Sequence, residues 1–290
     1  MSQNQNYLFE SLNKEQFNAV THINGPLLVV AGAGSGKTKA LTHRIANLIE
    51  NHKIDPYNIL AVTFTNKAAK EMKARLEVIL AQELTLNRFG KPWNTLNEFD
   101  QNQLRAEINK AMLQDLWIGT FHSLFSRLLR FDIDKYKDPD GLAWTRQFSI
   151  YDETDSQTLI KEIVTQEMNL DPKKFNPKRI KSAISNAKNQ CMTPKDLEEK
   201  SDNNFDKIIA DAYKRYRIAL SKNNSLDFDD LLLLPVFLLK QNEEVRNYRH
   251  KRFKHILIDE YQDTNRTQYE LIKLITTGNT NTDKFSKWED

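Results

Sequence analysis

Four short runs of almost continuous apolar residues constrain the fold of this 290-residue chain more than any other feature. The runs lie at residues 27–31, 59–64, 116–120 and 255–258. Short runs that do not alternate with polar residues are typical of parallel strands that are covered by helices on both faces. Apolar residues with helical spacing follow the first two runs, at 37–51 and 66–80. This alternation predicts a doubly wound α/β fold with a parallel sheet.

The middle of the chain has a different pattern. From about 133 to 226, several stretches have helical spacing, and the one indication of a strand is a short run at 148–151. The pattern predicts a mostly helical subdomain, 133–226, inserted between two segments of the α/β domain, 1–132 and 227–290. Residues 81–112 are polar, and we expect them to form a surface insertion within the first segment.

A glycine-rich segment with a lysine and a hydroxyl residue directly follows the first apolar run and precedes a helical pattern. The segment comprises Ala31, Gly32, Ala33, Gly34, Ser35, Gly36, Lys37 and Thr38. Glycines in such a loop let backbone N–H groups surround phosphate oxygens, and the N-terminus of the helix favours a bound anion. We expect Lys37 to contact the β- and γ-phosphates of a nucleotide and the Thr38 hydroxyl to ligate Mg²⁺. The general P-loop pattern begins with glycine, whereas this segment begins with Ala31.

An acidic pair directly follows the last apolar run and supplies the carboxylates that a phosphate site of this kind requires. Asp259 is predicted to hold Mg²⁺, directly or through water, and Glu260 to polarise the attacking water. Two adjacent acids favour water over a substrate hydroxyl as the nucleophile. The residues therefore predict an enzyme that hydrolyses ATP with Mg²⁺, with Lys37 and Glu260 as its catalytic residues, rather than a small-molecule kinase.

Composition excludes several classes of protein. The single cysteine, Cys191, permits neither an intrachain disulfide nor a thiolate metal cluster, and we expect an inert packed thiol. The six histidines have no spacing typical of a metal site. A net charge of +3 argues against a wholly basic tail that binds nucleic acid. The longest apolar stretch, 231–239, is far shorter than the roughly 18 residues of a membrane span, so we expect a soluble, cytoplasmic protein without a membrane partner.

Six segments together resemble the superfamily-1 DNA helicases of the UvrD/Rep/PcrA type. They are 12–16 (LNKEQ), 31–38 (AGAGSGKT), 63–69 (TFTNKAA), 119–123 (GTFHS), 226–231 (LDFDDL) and 259–265 (DEYQDTN). They occur in the order of the family and cover the chain from about residue 12 to residue 278. The resemblance implies a RecA-like P-loop NTPase domain with an inserted helical subdomain. In this family the first position of the loop is usually alanine, as Ala31 is here.

The resemblance also implies roles for residues in the first segment. Gln16 would read the edge of the adenine through its amide, which donates and accepts hydrogen bonds at once. Single-stranded DNA would cross the top of the sheet at Thr63, Phe64 and Asn66. A hydroxyl and an amide can hold phosphates, and an exposed aromatic ring can stack on a base. Without the family pattern, Phe64 would be interpreted as a core residue.

Further along the chain, the resemblance implies that Phe121 and His122 contact the same DNA strand. Without the family pattern, His122 would be interpreted as a structural histidine. Gln262 and Asp263 lie in the region that the family uses to couple nucleotide state to DNA. The acidic residues in 227–231 begin a very apolar helix, where they interact favourably with the helix dipole, and we interpret this segment as mainly structural.

Two basic clusters admit more than one interpretation. The first either neutralises the phosphates of duplex DNA or forms a solvated face, and it comprises Lys173, Lys174, Lys178, Arg179, Lys181 and Lys188. The second is interpreted as a solvated face, and it comprises Arg246, Arg249, Lys251, Arg252 and Lys254. Lys39 stands where the family commonly has arginine, which weakens any contact that needs a planar guanidinium.

The family continues with a second RecA-like domain whose arginines close on the γ-phosphate, and this second motor domain is missing from the chain. We therefore expect the first motor domain of an ATP-dependent DNA helicase. By resemblance, the parent translocates 3′→5′ on single-stranded DNA and acts in repair or replication restart. The chain itself is expected to bind MgATP, single-stranded DNA and single-strand/duplex junctions weakly, and not to unwind duplex DNA alone.

Two alternative functions remain open. The chain could be the motor half of a helicase–nuclease, whose nuclease domain would lie beyond residue 290. It could instead be a nucleotide-binding interaction module that regulates a partner without turnover. The downstream sequence of the full-length gene distinguishes both alternatives from the first hypothesis.

Overall fold

The computed structural model describes residues 7–32, 34–201 and 203–277. These residues form two compact units. The first unit contains residues 7–120 and 252–261, and the second contains residues 121–251 and 262–277. The sequence pattern placed the domain boundaries after residues 132 and 226, whereas the chain passes between the units after residues 120, 251 and 261. The division into two motor segments and an insertion stays a prediction.

Helices make up most of the described chain. The helices are α1 (Tyr7–Glu10), α2 (Lys14–Thr21), α3 (Lys37–Glu50), α4 (Asn66–Phe89), α5 (Glu98–Ile108), α6 (Phe121–Asp132), α7 (Glu153–Glu162), α8 (Pro177–Asn189), α9 (Pro194–Glu199), α10 (Asn204–Lys222), α11 (Asp230–Gln241), α12 (Glu243–Arg252) and α13 (Arg266–Thr277). The strands are β1 (Ile59–Thr63), β2 (Trp117–Thr120), β3 (Ser149–Ile150), β4 (Ser225–Leu226) and β5 (His255–Ile258). Across the described residues, no helix has the length and apolar character needed to cross a membrane.

The first unit is built on a parallel sheet in the order β2–β1–β5. Leu60 of β1 is opposite Trp117 of β2 on one side and Ile256 of β5 on the other. All five residues of β1 are buried, and β1 has a neighbouring strand on both sides. Three of the four predicted strands therefore lie in one parallel sheet, which confirms the α/β class.

The fourth predicted strand, 27–31, is not a strand in the structure. This segment has no regular structure, and the side chains of Leu28 and Val30 are 69% and 87% exposed. An apolar run becomes a buried strand only when its backbone also finds a hydrogen-bonding neighbour. No strand in the described part of the chain pairs with residues 27–31.

The helix α4 is longer than the sequence pattern predicts. The side chain of Thr65 caps its N-terminus by accepting a hydrogen bond from the N–H of Ala68, and Gly90, in the left-handed conformation (φ 64°), ends it. Residues 81–112, expected to be a surface insertion, contain the end of α4 and the whole of α5. Trp93 and Leu104 from this region are buried in the core of the first unit. The region has few apolar residues among many polar ones, so their helical spacing was not recognised in the sequence.

The second unit is mostly helical, as the pattern of the middle of the chain predicts. Its core is formed by side chains from α7, α8 and α10, among them Ile160, Ile184 and Tyr213. The helix α11 packs against α6 and α13, and its leucines are buried on all sides. The short strands β3 and β4 pair in parallel, with Ser149 opposite Ser225.

Candidate functional site

The glycine-rich loop leads directly into α3. Gly34 and Gly36 have φ angles of 75° and 84°, in the left-handed region that residues with a Cβ rarely adopt. Gly36 precedes the first turn of α3 and has no side chain that could cap it. The N–H groups of this turn are therefore available to an anion. Ala33 lies outside the described residues.

Lys37, the first residue of α3, turns its side chain back over the loop. Its Nζ donates to the carbonyl oxygen of Ala31 at 2.8 Å and lies 3.4 Å from that of Gly32. Two neutral carbonyl oxygens satisfy the ammonium group in this structure. A phosphate would offer it a charged acceptor, which makes a stronger hydrogen bond.

Thr38 and Asp259 lie next to each other within the first unit. The Thr38 Oγ1 donates to Asp259 Oδ2 across 3.4 Å. Asp259 is positioned by the sheet, because its N–H continues the ladder beyond β5 by donating to the Val62 carbonyl at 2.9 Å. Burial, and then the neighbouring charge of Glu260, raise the pKa of Asp259, and the hydrogen bond from Thr38 acts in the opposite direction.

Glu260 has an unusual backbone conformation. Its φ angle is +52°, in the left-handed region, which is uncommon for a residue with a long side chain. Strained conformations of this kind persist where the surrounding structure enforces them, often at functional sites. Glu260 lies between the end of β5 and the short 3-10 helix Tyr261–Asp263, where the direction of the chain changes.

The oxygen atoms of Thr38 and Asp259 fit a shared magnesium ion. Mg²⁺ prefers oxygen ligands and is commonly held by one or two protein side chains together with substrate phosphates and water. Neighbouring oxygens on an octahedral Mg²⁺ lie about 2.9 Å apart, so at 3.4 Å from Thr38 the Asp259 carboxylate would hold the ion directly after a small movement, or through a water. Among the described residues, no group of three or more His, Cys, Asp or Glu side chains could hold a metal. In a site of this kind, the remaining ligands are phosphate oxygens of the nucleotide and water.

Gln16 connects α2 to the phosphate loop. It forms a capping box with Asn13 at the start of α2, in which each side chain accepts a hydrogen bond from the backbone N–H of the other residue. Its Nε2 donates to the Ser35 carbonyl at 3.0 Å. A Cβ at Gly36 would lie 2.5 Å from this Nε2, so only glycine permits the contact. Lys39 does not face the loop, because its ammonium group donates to the Ser11 carbonyl.

Three candidate DNA contacts follow β1 in the first unit. Thr63 is fully buried, and its hydroxyl donates to the Thr65 carbonyl at 3.2 Å. Phe64 is half-buried, and Asn66, the first residue of α4, is exposed. Phe64 and Asn66 therefore present atoms at the surface, whereas Thr63 shapes the turn beneath them.

Two other candidate DNA contacts begin α6 in the second unit. Phe121 is 2% exposed, and its ring stacks on Phe125 with centroids 6.2 Å apart, so this structure gives it a core position. His122 is half-buried, and its ring lies edge-on to Phe228 at 5.8 Å. Burial lowers the pKa of His122, against the opposing effect of Asp229.

Phe228 is a candidate that the sequence analysis missed. Phe228 is 53% exposed, although it lies just before the buried helix α11. The residues on both sides of it are acidic. The signal in the sequence was an aromatic residue between aspartates, which is an unfavourable composition for a core. Gln262 and Asp263 lie in a short 3-10 helix, Tyr261–Asp263, and both are exposed.

The two basic clusters separate into buried and exposed residues. Lys188 is 1% exposed, and its Nζ lies 2.8 Å from both Asp227 Oδ2 and Asp230 Oδ1, so it is not part of a solvated or DNA-binding face. Arg249 is also buried and paired with Asp132. Burial, and then the charge of Asp227, raise the pKa of Asp230. Burial alone would raise the pKa of Asp227 as well, but Lys188 brings it below its ordinary value.

Comparison with known proteins matches the same part of the chain. The family model described as the UvrD/REP helicase N-terminal domain matches residues 12–285. The chain is 41% identical over 270 residues to the ATP-dependent DNA helicase PcrA of Staphylococcus epidermidis and 40% identical over 272 residues to that of Staphylococcus aureus. These alignments cover 93% and 94% of this chain. They cover 32% of each relative, so the chain spans about a third of the length of the curated relatives it matches.

Proposed function

The chain belongs to the UvrD/REP helicase N-terminal domain family, and we propose that it is the ATP-binding part of a DNA helicase motor, with a RecA-like first unit. The observation that carries this proposal is the 3.4 Å separation between the Thr38 hydroxyl and the Asp259 carboxylate. It joins the phosphate loop and the acidic pair in a single site. The matched relatives are named ATP-dependent DNA helicases, which supports the same assignment.

The residues of the loop suit the binding of MgATP. Lys37 would exchange its two carbonyl acceptors for oxygens of the β- and γ-phosphates. Thr38 and Asp259 are the residues that would hold Mg²⁺, which when bound neutralises negative charge on the phosphates. Glu260 would orient the attacking water and accept its proton.

Gln16 is proposed to recognise the adenine. Its amide can donate and accept at once, as the edge of adenine requires. In this structure the amide is engaged by Asn13 and Ser35, so adenine would replace at least one of these contacts. If the contact to Ser35 is the one replaced, recognition of the base also releases a carbonyl of the phosphate loop.

Single-stranded DNA is proposed to contact both units. In the first unit, the exposed amide of Asn66 can hold a phosphate, and the half-buried ring of Phe64 can stack on a base. In the second unit, the edge-on pair of His122 and Phe228 offers an aromatic surface. Thr63, like Phe121, is buried, and both would act by shaping the backbone that carries the exposed residues.

The activity of the whole protein forms the second part of the proposal. We propose that the full-length protein translocates 3′→5′ on single-stranded DNA and acts at single-strand/duplex junctions. The arginines that complete the site would come from a second motor domain. This chain alone is then expected to bind MgATP without unwinding duplex DNA.

The experiment that tests the proposal measures MgATP binding and ATP hydrolysis, with and without single-stranded DNA. Lys37→Ala should abolish MgATP binding while the folded chain keeps its circular dichroism spectrum. Lys91→Ala removes an exposed lysine far along the same unit and serves as the matched control. Unchanged affinity for MgATP in Lys37→Ala would refute the assignment of the phosphate site.

A further inference from the structure

The C-terminal end of α8 is held by a buried group of charges. Lys188 forms ion pairs with Asp227 and Asp230, and the Tyr216 hydroxyl donates to Asp227 at 3.0 Å. The carbonyl of Lys188 in turn accepts a hydrogen bond from the buried hydroxyl of Thr267 in α13 at 2.9 Å. Three helices, α8, α11 and α13, therefore meet at Lys188, and the residue that follows it has a fixed position.

That next residue, Asn189, receives a hydrogen bond from the segment that follows the acidic pair. Asn265 Nδ2 donates to Asn189 Oδ1 at 2.6 Å. Asn265 also directly precedes α13 and caps it: its Oδ1 accepts from the N–H of Gln268 at 2.9 Å, and its own N–H donates to the Gln268 side chain at 3.0 Å. The position of Asn265 is thus tied to the start of α13 and, along the chain, to Glu260 a few residues earlier.

The other end of the Asn189 amide reaches the aromatic pair. Asn189 Nδ2 donates to Asp229 Oδ1 at 3.2 Å. Asp229 directly follows Phe228, whose exposed ring lies against His122. We define Asn265, Asn189 and Asp229 as the asparagine relay.

We propose that Asn189 is a positioning residue, through which the asparagine relay couples the nucleotide-dependent segment after Glu260 to the DNA-contacting pair of Phe228 and His122. This inference rests on the proposed function, since it needs a chain that binds both ligands. Asn189 engages Asn265 with its oxygen, and its nitrogen donates both to Asp229 and, at 2.9 Å, to the Ser185 carbonyl of α8. Because one amide carries these contacts, a displacement of Asn265 changes the hydrogen bond to Asp229. Lys188 prevents α8 from following that displacement as a whole.

The test is the factor by which a non-hydrolysable ATP analogue with Mg²⁺ changes the affinity for DNA. The Kd of a fluorescein-labelled oligo(dT) is measured by anisotropy with and without the analogue. In the wild-type chain we expect a factor of about fivefold or more, the lower end of typical couplings between sites. A residue that only stabilises the fold would not change this factor once the chain is folded.

Asn265→Ser removes the donor to Asn189 but keeps an oxygen that can cap α13, because serine and asparagine are comparable as N-caps. We expect the factor to fall below about twofold, with the affinity for each ligand alone changed by less than about twofold. Asn242→Ser is the matched control. Asn242 also caps a helix of the same unit, accepting from the Val245 N–H at 3.1 Å, but it lies outside the relay.

A second variant tests the hydrogen bond from Asn189 to Asp229. Asn189→Asp keeps an acceptor for Asn265 but places a carboxylate against Asp229 in place of the donor. It should lose the coupling factor as Asn265→Ser does.

Four outcomes would overturn the relay. If the wild-type chain binds both ligands but the analogue does not change the affinity for DNA, the relay is refuted and the proposed function is not. The same follows from a wild-type factor retained in Asn265→Ser, or from an equal loss of the factor in Asn242→Ser. A wild-type chain that binds neither the analogue nor the oligonucleotide ends the proposed function and the relay together.

Discussion

The hydroxyl oxygen of Thr38 lies 3.4 Å from a carboxylate oxygen of Asp259, although 221 positions separate the two residues in the sequence. Asp259 is held at the end of β5, where its N–H donates to the Val62 carbonyl of β1, and Thr38 lies in the first turn of α3, directly after the phosphate loop. The carboxyl ends of parallel strands are where ligands bind in open α/β sheets. This relationship makes the site sensitive to the charge of Asp259.

The affinity for MgATP is expected to decrease as the pH falls. Because burial and Glu260 raise the pKa of Asp259, this carboxylate takes up a proton at a higher pH than an ordinary aspartate does. The protonated form is a poor ligand for Mg²⁺. The Kd of a fluorescent ATP analogue with Mg²⁺, measured from pH 7.5 down to pH 4.5, checks this prediction. Asp259→Asn is the control, and the ratio between its Kd and that of the wild type should shrink as the pH falls.

At Glu260, substitution by asparagine should destabilise the chain less than substitution by alanine. Asparagine tolerates the left-handed conformation better than alanine does, so Glu260→Asn should be more stable than Glu260→Ala by about 1 kcal/mol. Urea denaturation measures the difference. The same two substitutions at Glu244, in the first turn of α12, are the control. There alanine should be the more stable, because it is the better helix former. An identical order at both positions would contradict the strain at Glu260.

Phe228→Ala should weaken the binding of single-stranded DNA. Stacking of a base on an aromatic ring is worth about 1–3 kcal/mol, which corresponds to a loss of about fivefold to 150-fold in affinity. Phe99→Ala is the matched control, since Phe99 is also exposed but lies in the other unit. Anisotropy with a labelled oligo(dT) measures both variants. An equal effect in the two would indicate that the ring of Phe228 does not contact a base.

Asp230 should make the stability of the chain depend on pH. The pKa of Asp230 is raised to about 7, so the folded chain binds this proton more tightly than the unfolded chain does. Its contribution to the free energy of unfolding therefore decreases as the pH rises from the ordinary aspartate range towards 7. Asp230→Asn cannot titrate and should flatten this slope. Urea denaturation between pH 4.5 and pH 8 compares the two chains, and equal slopes would contradict the prediction.

The sequence predicted the parts of the site that depend on adjacent residues. The phosphate loop and the pair Asp259–Glu260 are contiguous patterns, and the acidic pair directly follows β5. Three strands of the sheet were predicted because each is a contiguous apolar run. Residues 27–31 are also such a run, but their composition does not show that their backbone lacks a neighbouring strand.

Contacts between residues far apart in sequence could not be predicted in this way. The burial of Lys188 depends on two aspartates that lie about 40 positions later, so its basic neighbours suggested a solvated face. The exposure of Phe228 depends on the direction of the turn before α11. In each case, the residue type alone favoured the opposite environment.

The exposed segment at 27–30 has a consequence for handling the protein. It presents four consecutive apolar side chains, from Leu27 to Val30, all more than 40% exposed and with no charge among them. Uncharged apolar runs of high β-propensity are the segments through which separate chains associate into aggregates. A net charge of +3 is a weak opposing force for a chain of this size. The solubility of the purified chain should therefore be limited by this short run, and a lysine in place of Val30 should raise the concentration at which the chain stays monodisperse.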